Sequence, residues 1–234
     1  MIVIENVTVQ FGGVKAIDRL DAQFSDPVCG LIGPNGAGKT TLVNLLSGLV
    51  RSSAGSVSID GTPLLPMKPI ERVKFGLRRS FQMEQVVEDL SVWDNVRAVL
   101  DHVPHAPETL RQQIGEVLRY TGLAHVASRL GLQLNLFQRR MVEVAKALVG
   151  RPRLLLFDEP GAGLTEHESD ILREMIVGIP EQCGAQVLLI DHDVELIAAT
   201  CSQTLVMDFG RRLALGPTRA VLEDPEVRRA YLGT

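Results

Sequence analysis

The stretch Gly33-Pro34-Asn35-Gly36-Ala37-Gly38-Lys39-Thr40-Thr41 decides the fold of this chain. It matches the phosphate-binding loop G-x-x-x-x-G-K-[ST], or P-loop. Residues 28–32, which precede it, are apolar and predict a buried strand, whereas residues 42–46, which follow it, predict a helix. This strand–loop–helix setting is the one that the motif requires.

The chemistry of the loop follows from its residue types. Glycines let the backbone curl around an anion with its N–H groups pointing inward, and the following helix adds the partial positive charge of its N-terminus. We expect all nine residues to contact a nucleotide, with Lys39 reaching the β- and γ-phosphates and the Thr40 hydroxyl binding Mg²⁺. The alternative is a glycine-rich turn that binds nothing, and the Lys-Thr pair in this setting argues against it.

Composition limits the class of protein. A chain of 234 residues with 45% hydrophobic content can form one large domain with a sizeable core. The net charge of −4 gives no bulk electrostatic reason to expect a nucleic-acid partner. Four basic pairs are scattered along the chain and are interpreted as solvated faces: Arg78-Arg79, Arg139-Arg140, Arg211-Arg212 and Arg228-Arg229.

The cysteines and histidines do not form a metal or disulfide pattern. Cys29, Cys183 and Cys201 are far apart in sequence and are expected to be buried thiols in a reducing compartment. Four histidines are expected to be solvated: His102, His105, His125 and His167. No apolar run reaches the roughly 18 residues of a membrane span, and no signal peptide is apparent. The chain is therefore expected to be cytoplasmic and to reach a membrane only through a partner.

Three further predicted strands end in polar residues. Residues 154–157 are apolar and lead into Asp158-Glu159, the Walker B pattern, in which Asp158 would bind Mg²⁺ and Glu159 would act as the general base for the attacking water. The alternative is that these acids cap the next helix. His192, after the predicted strand 187–190, could hydrogen-bond the γ-phosphate. Gln82, after the predicted strand 77–81, could sense Mg²⁺ and water through its amide.

The order of elements predicts an α/β fold. It is a RecA-like P-loop NTPase core with an antiparallel β subdomain, built from strands near 1–10, 14–17 and 56–60, and with a helical insert. We expect residues 1–234 to form a single domain with two lobes. Residues 1–84 and 151–234 would form the nucleotide-binding core and the antiparallel subdomain, and residues 85–150 the helical lobe.

These motifs together resemble the ATP-binding cassette (ABC) ATPases over essentially the whole chain. The motifs that carry the resemblance are the P-loop, Phe81-Gln82, the helical insert, Asp158-Glu159-Pro160, Gly163-Leu164 and His192. The resemblance implies ATP hydrolysis and a head-to-tail dimer with a second cassette, in which each ATP lies between the P-loop of one subunit and the signature motif of the other. It further implies that Phe11 stacks on adenine and that Gln82 couples the site to transmembrane permease subunits. It also implies that residues 161–165 form the D-loop and that His192 is the switch histidine.

Shorter segments resemble one subfamily, the ATP-binding subunits of branched-chain amino acid importers. These segments are residues 9–16, Arg79-Ser80-Phe81-Gln82, residues 189–193 and the ending Tyr231-Leu232-Gly233. Lipopolysaccharide-export ATPases are close cousins, and Phe81-Gln82 with the Tyr-Leu-Gly ending favours the importer side. This resemblance implies a peripheral position on the inner face of the cell membrane and, indirectly, a periplasmic or extracellular solute-binding protein. The substrate would be chosen by other subunits.

The signature motif departs from the family pattern Leu-Ser-x-Gly-Gln. Its expected spacing places the glutamine at Gln138, twenty residues before Asp158. The aligned segment is then Leu134-Asn135-Leu136-Phe137-Gln138, in which Asn135 replaces serine and Phe137 replaces glycine. A benzyl group at this place would obstruct the approach of backbone N–H groups to the partner's ATP, whereas Asn135 could donate a hydrogen bond to phosphate.

Several interpretations of this departure stay open. Either the motif has drifted harmlessly, or the chain works best in a heterodimer with a cassette whose signature is intact. A second function class is a regulatory cassette that binds ATP but hydrolyses it weakly. A third is the soluble cassette proteins of translation or DNA repair, which usually carry two cassettes or a long coiled-coil insert; this chain has neither.

Overall fold

The computed structural model describes residues 1–81, 85–103 and 109–232 of the chain. Their Cα atoms form two compact units, one made of Met1–Arg72 and Gln186–Thr234 and the other of Val73–Ala185. The helical lobe predicted for residues 85–150 falls within the second unit. Gln82, His105 and Gly233 lie outside the described residues, so the predictions made for them stay predictions.

The first unit begins with an antiparallel sheet. Its strands are β1 (Ile2–Phe11), β2 (Val14–Phe24), β4 (Ala54–Ile59) and β5 (Thr62–Pro63), in the spatial order β2-β1-β4-β5. β2 is longer than the predicted strand 14–17. Arg19, with a left-handed φ of 51°, interrupts its alternation, and the register against β1 shifts nearby. Because of this irregularity, the alternation of buried and exposed side chains does not continue along the whole strand, and the sequence pattern predicts only its first residues.

Among the residues described, the first unit also contains four strands of a second sheet that bring the predicted site residues to one edge. They are β3 (Val28–Ile32), β8 (Gln186–Ile190), β9 (Gln203–Asp208) and β10 (Arg211–Pro217), in the order β10-β9-β3-β8. β3 runs parallel to both β8 and β9, so all three end at the same edge. Ligands of parallel sheets bind at this carboxyl edge.

Helices accompany these strands. They are α1 (Lys39–Ser47), α2 (Pro69–Phe75, which crosses the boundary between the units), α7 (Val194–Thr200), α8 (Thr218–Glu223) and α9 (Pro225–Val227). A π-helical turn over Arg228–Leu232 follows α9. Within the described parts of the chain, no helix is both long and apolar enough to cross a membrane.

The second unit combines a parallel strand pair with four helices. The pair is β6 (Leu77–Arg79) and β7 (Leu154–Asp158), and the helices are α3 (Val92–Leu100), α4 (Leu110–Tyr120), α5 (Leu136–Leu148) and α6 (Glu166–Cys183). β7 is buried throughout, as its unbroken apolar run predicts. α6 begins with a capping box, since Thr165 accepts from the backbone N–H of Glu168 and the Glu168 carboxylate accepts from that of Thr165.

Candidate functional site

The P-loop follows β3 and leads into α1, so the strand–loop–helix setting is confirmed. Two of its glycines admit no side chain. A Cβ on Gly33 would lie 2.2 Å from the carbonyl oxygen of Met207, and one on Gly38 would lie 2.6 Å from that of Ala16. Gly38 also has a left-handed φ of 101°. The loop is therefore a close-packed backbone cradle that only glycine at these two positions permits.

The start of α1 offers hydrogen-bond donors to an anion. Gly38 is the N-cap residue and has no side chain to accept from the first turn, so the first-turn N–H groups lack an intrahelical acceptor. Lys39 reaches back across the loop, where its Nζ lies 2.6 Å from the Gly33 oxygen and 3.1 Å from the Pro34 oxygen. Thr40, Asn35 and Gly36 are exposed. The loop thus combines an ammonium group, helix-end amides and a hydroxyl, which is the chemistry of a triphosphate site.

The β1–β2 hairpin places an aromatic ring near this loop. Phe11, the predicted adenine contact, is 53% exposed at the end of β1. The hairpin's second strand touches the P-loop, because the oxygen of Ala16 limits the space at Gly38. An exposed ring on a strand pair that abuts a phosphate cradle can stack on a base.

His192 lies just beyond the end of β8, which is the parallel neighbour of β3. Its side chain is 70% exposed, and its Nδ1 lies 3.6 Å from the buried Asp191 carboxylate. That carboxylate also accepts from the backbone N–H groups of His192 and Asp193, at 2.8 and 3.0 Å. Asp191 therefore fixes the turn that presents the imidazole at the same edge as the P-loop.

The Walker B aspartate is deeply buried. Asp158, the last residue of β7, is 3% exposed. Its Oδ2 lies 3.1 Å from Nη2 of Arg79, whose side chain is 9% exposed. Its backbone N–H donates to the Ser80 hydroxyl at 3.2 Å. The carboxylate is thus held by a charged partner, as a buried charge requires.

Glu159, the predicted general base, has an uncommon backbone conformation. Its φ is 50°, in the left-handed region that residues other than glycine rarely adopt. The segment after it turns back at once, since the Ala162 N–H donates to the Glu159 oxygen at 3.2 Å. Strained residues concentrate at functional sites. The turn follows directly on the carboxyl end of β7.

The predicted signature segment forms the N-terminus of α5. Asn135 is the N-cap: its Oδ1 accepts from the Gln138 N–H at 2.8 Å, and the Gln138 Oε1 accepts from the Asn135 N–H at 3.2 Å. Leu136 and Phe137 are the first two helical residues, with Phe137 partly exposed. The Asn135 oxygen is committed to the helix, so its amide NH₂ is the end that can donate to phosphate.

The predicted D-loop, residues 161–165, packs on the same helix end. A Cβ on Gly163 would lie 3.2 Å from Cδ2 of Leu136. Nη2 of Arg140 lies 3.5 Å from the Ala162 oxygen. Within the second unit, the segment after Glu159 and the start of α5 therefore form one continuous surface.

Residues on both sides of Gln82 are anchored. Phe81 is 41% exposed and lies under the guanidinium of Arg79, whose carbon is 4.8 Å from the ring centre. The Gln85 N–H donates to the Glu143 carboxylate at 3.2 Å, and Lys146 donates to the Gln85 oxygen. Phe81 and Gln85, the described residues on either side of Gln82, therefore contact β6 and α5 respectively.

The sequence interpretation missed Arg79 and mistook its surroundings. Arg78-Arg79 was predicted to be a solvated face, but Arg78 is 6% exposed and the Arg79 side chain 9%. Arg140 is also buried. A signal was available, because strands of a parallel sheet are covered on both faces and the pair lies within the predicted strand 77–81. Cys29 and Cys201 are buried as predicted, whereas Cys183 is only partly so.

The donor set suits ATP and Mg²⁺. The Thr40 hydroxyl and the Asp158 carboxylate are oxygen ligands of the kind that Mg²⁺ takes together with phosphates. In the described part of the chain, no group of three or more His, Cys, Asp or Glu could hold a metal ion by protein ligands alone.

Comparisons with known proteins agree with the geometry. A family model described as ABC transporter matches residues 23–162. The lipopolysaccharide export system ATP-binding protein LptB of Haemophilus influenzae is 32% identical over 233 residues, covering 98% of this chain and 95% of LptB. The high-affinity branched-chain amino acid transport ATP-binding protein BraF of Pseudomonas aeruginosa is 29% identical over 246 residues, covering 98% of this chain and 96% of BraF.

A solved structure has the same fold over the full length. The ADP conformation of MJ1267, an ATP-binding cassette of an ABC transporter, aligns with a TM-score of 0.88 at 25% identity. The alignment covers 100% of this chain and 99% of that one. The predicted fold class, a P-loop core with an antiparallel subdomain and a helical insert, is confirmed.

Proposed function

This chain belongs to the ABC transporter family, and on that premise we propose that it drives the import of branched-chain amino acids or related small polar solutes. Its activity as an ATPase coupled to transport follows from the family. Cassettes of this family dimerise and work with transmembrane permease subunits. The direction of transport and the identity of the solute are our proposal beyond what the family shows.

The segment Arg79-Ser80-Phe81-Gln82 is the observation that carries the import proposal. It resembles the importer subfamily, and within it the Arg79 guanidinium stacks on the Phe81 ring. Import also implies a solute-binding protein outside the membrane and a peripheral position of this chain on the inner face, held there by permease subunits. LptB, at 32% identity, keeps lipopolysaccharide export as the second candidate.

We assign the chemistry to individual residues. Lys39 and the N–H groups at the start of α1 hold the phosphates, and Phe11 stacks on adenine. Glu159 accepts a proton from the attacking water and orients it for in-line attack on the γ-phosphorus. Gln82 and His192 orient the water and the γ-phosphate. Thr40, Asp158 and Gln82 would hold Mg²⁺, which when bound supplies positive charge that stabilises the developing negative charge on the phosphate oxygens.

We further propose that this chain works best in a heterodimer. Phe137 stands at the second position of α5. A side chain here, in place of the glycine of the family pattern, would crowd the N–H groups that a partner's γ-phosphate would approach. The partner cassette would supply an intact signature to this chain's own ATP. A cassette that binds ATP and hydrolyses it weakly is the alternative that this same feature favours.

Transport assays separate import from export. The chain would be purified with the permease subunits of its host and reconstituted in liposomes, and phosphate release would be measured with a solute-binding protein on the outside. We expect binding protein loaded with leucine, isoleucine or valine to stimulate release severalfold over the empty protein. Stimulation by a lipopolysaccharide-extracting complex, with none by any loaded binding protein, would instead establish the export alternative.

A further inference from the structure

Arg79 and Asp158 form a buried ion pair at the ends of two neighbouring parallel strands. Arg79 ends β6 and Asp158 ends β7, and the two strands pair in register, with Arg79 opposite Leu156. Nη2 of Arg79 lies 3.1 Å from Oδ2 of Asp158, and the side chains are 9% and 3% exposed. A pair with so little contact with water interacts strongly, because the solvent screens it weakly.

Three consecutive residues connect Asp158 to the segment that contains Gln82. Arg79 pairs with the carboxylate, and Ser80 accepts from the Asp158 N–H at 3.2 Å. Phe81 lies against the guanidinium of Arg79 at 4.8 Å. Any movement of the guanidinium therefore changes both the carboxylate and the ring that directly precedes Gln82.

We propose that Arg79 is a positioning residue that occupies the Asp158 carboxylate until Mg·ATP binds, and that its displacement is passed to Phe81 through the guanidinium–ring contact. The proposal rests on the assigned role of Asp158 as a magnesium ligand. A guanidinium and a divalent cation are attracted to the same carboxylate and repel each other. The phosphates of ATP add negative charge at the site, and this charge favours binding of the cation over the guanidinium. Without nucleotide, Arg79 keeps the cation out.

Cation binding without nucleotide tests the first half of the proposal. Mn²⁺, which takes the same oxygen ligands as Mg²⁺, can be followed by electron paramagnetic resonance. We expect Arg79→Gln to bind Mn²⁺ at least fivefold more tightly than the unmodified protein in the absence of ATP. Arg78→Gln is the matched control, since Arg78 is a buried neighbour whose Nη1 donates to the backbone oxygens of Val73 and Leu77. It should stay within twofold of the unmodified protein.

Variants at Asp158 test whether the gain in Mn²⁺ affinity arises at that carboxylate. Adding Asp158→Asn to Arg79→Gln should remove the gain in Mn²⁺ affinity. Equal Mn²⁺ affinity in the unmodified protein and Arg79→Gln, or a gain that survives Asp158→Asn, would overturn the proposal. The role of Asp158 is tested separately, since Asp158→Asn alone should weaken Mn·ATP binding. If it does not, the assigned ligand is wrong whatever Arg79 does.

A second measurement leaves the ion pair intact, in case Arg79→Gln does not fold. Phe81→Trp, with the chain's single tryptophan replaced by Trp93→Phe, places a fluorescent probe against Arg79. We expect its emission to shift on addition of Mg·ATP and to stay unchanged with ATP and a chelator. The same emission in both conditions would show that the cation's arrival does not reach Phe81, and would overturn the second half of the proposal.

Discussion

Asn135 and Gln138 cap helix α5 reciprocally, each side-chain oxygen accepting from the other's backbone N–H at 2.8 and 3.2 Å. Serine in the family pattern would cap the helix in the same way, so the asparagine preserves the helix start. The departure from the family pattern that affects the chemistry is therefore Phe137, the second residue of the helix. The next two predictions test the roles of Asn135 and Phe137 separately.

The double variant Asn135→Ser, Phe137→Gly should raise ATP hydrolysis by the chain alone, by about tenfold. The glycine removes the ring that crowds the N–H groups at the start of α5, and removing one phosphate-stabilising donor set typically changes rates by factors of this order or more. Steady-state phosphate release measures it. Asn135→Ser alone is the control and should change the rate little. Rapid hydrolysis by the unmodified chain alone would count against the heterodimer proposal.

Asn135→Ala should lower stability by about 1 kcal/mol, because it removes the oxygen that accepts from Gln138. For a chain of this size, that corresponds to a decrease of about 2–4 °C in the melting temperature. Asn135→Ser should melt within about 1 °C of the unmodified protein. Equal melting temperatures for the alanine and serine variants would mean that the cap does not stabilise α5.

Gly38→Ala should abolish measurable ATP binding or prevent folding. Its methyl group would lie 2.6 Å from the Ala16 oxygen, at a residue with a φ of 101°. Gly61→Ala is the matched control, because Gly61 has a φ of 76° and nothing within 4 Å of its Cβ position. That variant should lose about 1 kcal/mol of stability and keep its affinity for a fluorescent ATP analogue. Unchanged affinity in Gly38→Ala would show that the cradle is not the phosphate site.

Cys29 makes the protein less stable as the pH rises above about 9. Burial raises the pKa of its thiol from 9.0 to about 12. Between these values the folded chain holds a proton that the unfolded chain has lost, so stability is intact below pH 9 and decreases toward pH 12. In Cys29→Ala, the free energy of unfolding should decrease less steeply with rising pH, by up to about 1.4 kcal/mol per pH unit. Urea unfolding at several pH values measures this difference. The same pH dependence of the free energy of unfolding in the variant and in the unmodified protein would contradict this assignment.

The features that sequence could predict are local in the chain. The P-loop and the signature segment at the start of α5 depend on residues that lie close together in the sequence, so their spacing carries the geometry. The acids after β7 and His192 after β8 follow from buried apolar runs that end in polar residues. In each case the residue types and their short separation determine the structure.

The features that sequence could not predict join distant residues. The ion pair of Arg79 with Asp158 spans 79 positions and depends on the parallel pairing of β6 with β7. The left-handed conformation of Glu159 and the irregularity of β2 at Arg19 are set by packing rather than by local preference. Buried Arg78-Arg79 also shows that a basic pair is not evidence of a solvated surface when it lies in a covered strand.

The central claim is that this chain hydrolyses ATP with Glu159 as the general base. The most direct measurement is phosphate release and retained nucleotide for Glu159→Gln and the unmodified chain, each assembled with its permease subunits. Glutamine keeps the shape of the side chain but cannot accept the proton from water. We predict that the variant loses at least about 99% of the turnover, in line with the loss of a general base, and retains bound ATP. Turnover close to that of the unmodified protein would contradict the account.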